Sequence, residues 1–253
     1  MRPSPTEIMT VTASRLLDDD AVVFAGVGIP LLASALARRR QAPNLTIVLE
    51  GGIVGTHLVP GRLPISTNEM RAAFGAPMLT DITDIFLFAQ RGFFDYGILG
   101  AAQVDRYGNI NTSYIGTPEA PKVRLPGSGG ANDIISLCNE IFIVTTHEPR
   151  RFVERVDFIT SPGHLRGENT RAESGLVFGE VSAVATDLAL LDFATESRRM
   201  RLRALQPGVS VAQVQEATGF ELLVHESVDE LPEVTTDELA ILRDLNGAEV
   251  GAA

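Results

Sequence analysis

The sequence predicts an α/β fold: an open, mostly parallel sheet flanked by helices, with a few antiparallel strands in the C-terminal half. Three observations carry this expectation. Residues 21–25, 45–49 and 141–145 are short uncharged runs of Ala, Val, Ile, Leu, Phe and Thr, the pattern of strands covered on both faces. Helix-starting signals, either capping boxes or a glycine turn, open the helical stretches between and after such runs. Residues 175–193 alternate in short β-prone segments of the antiparallel kind. No repeat, low-complexity block or linker interrupts the 253 residues, so a single domain over 1–253 is expected, with a fraying tail at 247–253.

Ser4-Pro5-Thr6-Glu7 has the form of a capping box with proline at the first helical position. Ile8, Val11 and Leu16 follow at helical spacing, so the first helix is expected to end near Asp18-Asp19-Asp20. After the strand at 21–25, the turn Gly26-Val27-Gly28-Ile29-Pro30 opens a helix over 31–40. Arg38, Arg39 and Arg40 occupy its last turn, where cations suit the helix dipole. The strand at 45–49 then stops at Glu50. A β-turn-α-β unit of this kind crosses over right-handed and brings both strand ends to one sheet edge, making the Gly26 turn a neighbour of Glu50. Leu31 stands where a dinucleotide fingerprint needs its third glycine and no clear acidic ribose partner follows, so a Rossmann cofactor is rejected.

Residues 56–81, with Pro60, Gly61, Pro64, Gly75 and Pro77, read as an irregular segment with one short helix around Met70, of the kind that covers a site. Residues 85–88 form a strand or short helix, and 95–102 return the chain to the sheet. Turn chemistry at Asp105 to Asn109 between two β-prone runs predicts a hairpin over 103–111. Glycines 127, 129 and 130, with Ser128 and Asn132, precede a helix at 134–138. Their exposed amides suit an oxyanion or phosphate, but no Lys-Ser/Thr follows, which argues against nucleoside triphosphate hydrolysis. Capping boxes at Ser210-Val211-Ala212-Gln213 and Thr235-Thr236-Asp237-Glu238 open helices near 211–218 and 237–245.

Composition narrows the function. A formal charge of -11 disfavours nucleic acid or an anionic membrane as main partner, while 21 Lys and Arg leave cations for local anion sites. The single cysteine, Cys138, excludes an intrachain disulfide framework, points to a reducing compartment, and is read as a buried inert thiol. The N-terminus shows no hydrophobic signal segment. The uncharged stretch 21–37 is broken by Gly26, Gly28 and Pro30, so a soluble cytoplasmic protein is expected. The four histidines show no metal-ligand spacing, and His147, after the strand at 141–145, reads as a hydrogen-bonded structural residue. Glu50 is the residue to explain. A carboxylate at the end of a core strand loses hydration, and the Gly51-Gly52 pair after it permits a sharp turn or close approach of a ligand.

Taken together, Gly26-Val27-Gly28-Ile29-Pro30, Val48-Leu49-Glu50-Gly51-Gly52, Gln103-Val104-Asp105-Arg106-Tyr107-Gly108-Asn109, Gly127-Ser128-Gly129-Gly130-Ala131-Asn132, His147-Glu148-Pro149-Arg150-Arg151-Phe152 and Thr160-Ser161-Pro162-Gly163 make the chain resemble, nearly end to end, the β subunit of family I CoA-transferases of the glutaconate type. The resemblance implies the CoA-transferase, or NagB/RpiA-like, fold. It implies Glu50 as nucleophile, carrying a glutamyl-CoA thioester, and Gly130 as backbone oxyanion donor. Gly26, Gly28, Gly51, Gly52, Gly129, Ala131 and Asn132 would then border CoA and the acid. The same resemblance implies a CoA-transferase α subunit as partner, in an α2β2 heterotetramer. It implies acyl-CoA and a carboxylic acid of the dicarboxylic kind as substrates, and no permanently bound cofactor or metal. Subfamilies with Ser-Glu-Asn-Gly around the nucleophile act on 3-oxoacids, and Leu49-Glu50-Gly51-Gly52 departs from them. Arg71, Arg91 and Arg124 are candidates to meet a distal carboxylate. Two other readings remain: a CoA-thioester or carbon-carbon hydrolase on the same fold, and a non-catalytic partner that completes an α-subunit site.

Overall fold

The computed structural model describes residues 2–247, in two compact units: the chain up to Ile98 together with Val234 onward, and Leu99–Glu233. In chain order the elements are α1 (Pro5–Ser14), β1 (Val22–Ala25), α2 (Ile29–Arg38), β2 (Thr46–Leu49), β3 (Ile53–Val54), a 3-10 turn (Met70–Ala73), β4 (Met78–Leu79), α3 (Ile82–Gln90) and β5 (Tyr96–Gly100). Then come β6 (Gln103–Asp105), β7 (Ile110–Asn111), β8 (Tyr114–Gly116), β9 (Pro121–Arg124), α4 (Ala131–Leu137), β10 (Glu140–Val144), β11 (Phe152–Val153), α5 (Thr170–Glu173), β12 (Glu180–Ala185), β13 (Ala189–Asp192), β14 (Arg201–Leu205), α6 (Val211–Glu216), β15 (Leu223–Glu230) and α7 (Thr236–Leu245). Among the described residues no helix is long and apolar enough to cross a membrane.

In the first unit β1 lies between β5 and β2, parallel to both, as the β-turn-α-β reading requires. Antiparallel β3 and β4 extend the sheet beyond β2. Val23, Phe24 and Ala25 are all buried, so β1 is covered on both faces. Phe24 meets Phe86 of α3 and Phe94. Helices α1, α2 and α7 close over Val11, Leu36 and Leu242. The capping boxes of α1 and α7 form, and each N3 glutamate also takes an arginine from the other helix: Arg243 Nε donates to Glu7 at 2.8 Å, and Arg15 donates to buried Glu238 at 3.0 and 2.8 Å. Helix α1 ends at Ser14, short of the expected aspartates. The Ser14 hydroxyl donates to the Val11 carbonyl, and the Leu16 and Leu17 amides bond three residues back, which closes the helix as a tightened turn. Residues 85–88 belong to α3, whose start is fixed by Asp81 accepting from the Thr83 and Asp84 amides.

In the second unit β10 and β12 run parallel, β12 and β13 are antiparallel, as the alternation over 175–193 predicts, and β14 adds antiparallel to β13. Strand β15 adds parallel to β14. The hairpin β6–β7 forms with β11 alongside β6. The β8–β9 hairpin and strands β14 and β15 are additions to the expected set. Helix α6 opens on the Ser210 capping box. The expected fraying tail lies, beyond Gly247, outside the described residues.

Candidate active site

Parallel register between β1 and β2, Phe24 opposite Val48, sends the chain off the same edge of the first unit's sheet at Gly26 and at Glu50. Gly28 is the N-cap of α2 at φ +82°, and Pro30 stands within the helix's first turn. Leu49 pairs with Ile53, so Glu50, Gly51 and Gly52 form the loop of a tight hairpin between β2 and β3. Gly52, at φ +96°, donates its amide to the Leu49 carbonyl at 3.1 Å and so closes the reversal. Glu50 is half-buried at the first position of that loop.

The loop's glycines are there because nothing larger fits. A Cβ on Gly51 would stand 2.3 Å from Asn68 Oδ1 and 2.5 Å from the Thr67 carbonyl oxygen, and one on Gly52 2.1 Å from the Thr80 carbonyl oxygen. Thr67, Asn68 and Thr80 of the 56–81 segment thus form a wall against the loop that follows Glu50. It is tied in place: Thr80 N donates to the Gly52 carbonyl at 2.8 Å, the hydroxyl of buried Thr56 to the Ala72 carbonyl at 2.6 Å, and Arg38 Nη1 to the Thr56 carbonyl at 2.6 Å. Sequence reasoning reads Arg38 as a dipole cation and passes over Asn68, Thr56 and Thr80. The paired glycines signal close backbone approach but not which backbone approaches.

Gly129, Gly130, Ala131 and Asn132 lie together in the second unit. Gly127 and Gly129 have φ of +96° and +48° with open space where a Cβ would stand, while Gly130 is buried and caps α4. The Ala131 amide is engaged with the Ser128 carbonyl at 2.9 Å, and the Gly127 amide with the Thr112 carbonyl at 2.8 Å. Asn132 Nδ2 donates to the Thr160 carbonyl at 2.9 Å. Thr160 Oγ1 accepts from the Thr112 amide at 2.9 Å, and Asn111 Nδ2 donates to Gln103 Oε1 at 2.7 Å. The 103–111 hairpin and the 160–163 turn therefore form the frame that fixes the glycine loop. Asn109 locks that frame: its side-chain oxygen accepts from the Gly163 and Leu165 amides, and its nitrogen donates to buried Asp105. Burial pushes the Asp105 carboxyl up, against the pull of its bonds to Asn109.

Two clefts of about 720 and 350 Å³ lie in the second unit, and neither is lined by Glu50, Gly51, Gly52 or the Gly129–Asn132 loop. His147 is buried, stacked on Phe152, with Nδ1 3.1 Å from Thr186 Oγ1 and Nε2 2.9 Å from Thr218 Oγ1, and burial lowers its pKa to about 4. Such a ring is neutral at physiological pH and committed to packing. Cys138 is buried at the end of α4. Among the described residues no group of three or more His, Cys, Asp or Glu is placed to hold a metal ion.

The coenzyme A transferase family model matches residues 6–217. The chain belongs to that family. Among curated proteins it is 40% identical over 250 residues to the B subunit of the 3-oxoadipate CoA-transferase of Pseudomonas knackmussii, covering 98% of this chain and 95% of that one. It is 35% identical over 233 residues to the B subunit of the glutaconate CoA-transferase of Acidaminococcus fermentans, covering 88% and 85%. Among solved structures, the glutaconate CoA-transferase of A. fermentans superposes with a TM-score of 0.88 at 30% identity over 96% of this chain and 94% of that chain. The decarboxylase AibA/AibB follows at 0.82 and 26%, over 98% and 96%. This CoA-transferase chain is therefore the B-type half of a heteromeric enzyme with CoA as a substrate, on the α/β fold expected from its sequence.

Proposed function

We propose that the chain transfers CoA from an acyl-CoA to a dicarboxylic acid by ping-pong chemistry on Glu50, in the cytoplasm, as the β half of an α2β2 assembly. The observation that supports this is a half-buried carboxylate at the first position of a hairpin loop whose glycines pack closely against the backbone of Thr67 and Thr80. The ionised Glu50 attacks the thioester carbonyl carbon. The carbon–sulfur bond breaks, leaving an acyl-glutamyl anhydride and CoA thiolate. Thiolate then attacks the Glu50 carbonyl, the anhydride carbon–oxygen bond breaks, and the first acid leaves as carboxylate. The resulting glutamyl-CoA thioester is resolved by the incoming carboxylate through the same two steps in reverse, with no net proton change. Both intermediates hydrolyse in water, so the wall formed by 56–81 has a chemical purpose.

Both transferase relatives carry the names of dicarboxylic acids, one of them a 3-oxoacid, which supports a dicarboxylic acid as acceptor and keeps 3-oxoacids among the acyl groups to assay. A hydrolytic reading draws on 26% identity to the cholesterol ring-cleaving hydrolase IpdB subunit of Rhodococcus jostii over 89% of this chain. One experiment separates the two. The assembled enzyme is given acyl-CoA without acceptor, trapped with borohydride or hydroxylamine, and digested for mass spectrometry. A CoA-dependent change on the peptide carrying Glu50, with little free acid released, supports transfer. An unmodified peptide during turnover rejects it.

A further inference from the structure

We propose that the apolar surface presented by Ile65, Met70, Phe74 and Leu79 is the docking face for the α-type subunit. This rests on the reading of the chain as half of a heteromer. These side chains are 80%, 77%, 67% and 57% exposed, and Ile82, Leu87 and Phe93 continue the series within the same unit. Scattered exposed apolar residues are ordinary, whereas a run of large ones marks a surface that is covered in the working protein. The charges in the stretch are already engaged locally. Glu69 pairs with Arg71 and accepts from the Ile65 amide at 2.8 Å, Asp81 caps α3, and Asp84 takes the Thr80 hydroxyl. Large apolar side chains exposed along a segment whose charged groups pair within it fit the charge-poor core of a protein interface. Strand β4, which carries Leu79, is also the terminal strand of the first unit's sheet, with an outer edge of the kind proteins cover. The occupant follows from the relatives, which are named as B subunits or as the AibA/AibB pair.

The same segment backs the nucleophile loop, through Thr67 and Asn68 against Gly51 and Thr80 against Gly52. Docking therefore bears on the segment packed against the loop that follows Glu50.

The test is the double variant Met70→Asp/Phe74→Asp co-expressed with the α-type subunit, with assembly read by sedimentation velocity and no substrate present. Association about 100-fold weaker is expected from a carboxylate placed at each of two interface-core positions, while the thermal midpoint of this chain alone stays unchanged. Val177→Asp, at a comparably exposed apolar residue of the second unit, leaves assembly intact. Unchanged assembly of the double variant overturns the proposal. So does equal weakening by Val177→Asp, or self-association of this chain through the same face while the double variant still binds the α-type subunit. Since assembly is read without turnover, a complex that forms normally yet fails to transfer CoA counts against the Glu50 chemistry and not against this face.

Discussion

Replacing Gly52 by alanine should show how tightly the loop that carries Glu50 is held. Gly52 has φ +96°, a conformation that costs an L-residue roughly 1–2 kcal/mol. Its new Cβ would stand 2.1 Å from the Thr80 carbonyl oxygen and 2.5 Å from the carbonyl carbon, both backbone atoms, so no side-chain rotation relieves the contact. Thr80 must retreat by about 1 Å, an overpacking penalty of roughly 1–3 kcal/mol. That retreat stretches the 2.8 Å bond from Thr80 N to the Gly52 carbonyl, worth about 1 kcal/mol. A destabilisation of about 3–6 kcal/mol follows, read as a fall of about 2 M in the urea midpoint. If Glu50 moves with the loop by about 1 Å, transfer falls roughly 100-fold. Gly26→Ala is the comparison: its Cβ meets nothing within 4 Å, and stability should change by less than about 0.5 kcal/mol. Equal midpoints for Gly52→Ala and the unaltered chain, or equal losses in the two variants, would refute the reasoning.

Glu50→Asp withdraws the carboxylate by about one carbon–carbon bond, so CoA exchange should drop at least about 100-fold while slow thioester hydrolysis persists with the carboxylate as base to water. Exchange retained at the normal rate, followed with labelled CoA, rejects Glu50 as nucleophile. Arg171, buried and held at a pKa of about 10 by desolvation, donates to the carbonyls of Ile135, Pro162, Gly163 and Phe178. Arg171→Met leaves these acceptors short, and urea unfolding should register a loss of about 3–5 kcal/mol; a silent substitution would show that the acceptors find other donors. Burial depresses His147 from 6.5 to about 4, so the unfolded chain binds a proton in that window that the folded chain refuses. The associated stability is complete above about pH 6.5 and is lost as pH falls towards 4. At about 1.36 kcal/mol per pH unit this amounts to about 3 kcal/mol. Unfolding midpoints measured from pH 7 to pH 4.5 should fall less steeply for His147→Gln, and parallel slopes for the two proteins would sink the assignment.

Where structure follows from neighbours in sequence, the chain can be read directly. The boxes at Ser4, Ser210 and Thr235 each place a hydroxyl and a carboxylate or amide within one helical turn, and all three form. The strand ending at Glu50 and the parallel pairing of β1 with β2 follow from buried runs joined by a single helix. Strand β15 is not legible for the opposite reason. Leu223–Glu230 carries His225, Glu226, Asp229 and Glu230, none of it is buried, and its partner β14 supplies the order that its own pattern lacks. Arg171 gives no signal either, since its four carbonyl acceptors come from segments that only the fold brings together.

The glycines of the candidate site show where sequence reasoning stops. Gly28, Gly127 and Gly129 have positive φ with nothing within 4 Å of where a Cβ would stand, so they serve backbone conformation, and the Gly127 amide is spent on the Thr112 carbonyl. Gly51 and Gly52 look the same in sequence, yet both are enclosed by Thr67, Asn68 and Thr80, and their purpose is to let a wall stand against the Glu50 loop. The two kinds separate under one substitution. Alanine at Gly51 should cost stability through the Thr67 carbonyl 2.5 Å from its Cβ, whereas alanine at Gly129, with nothing within 4 Å, should cost only the roughly 1–2 kcal/mol of its φ of +48°. A hairpin loop that binds its ligand through exposed amides would give the reverse order, with Gly51→Ala tolerated by the fold and felt only in KM.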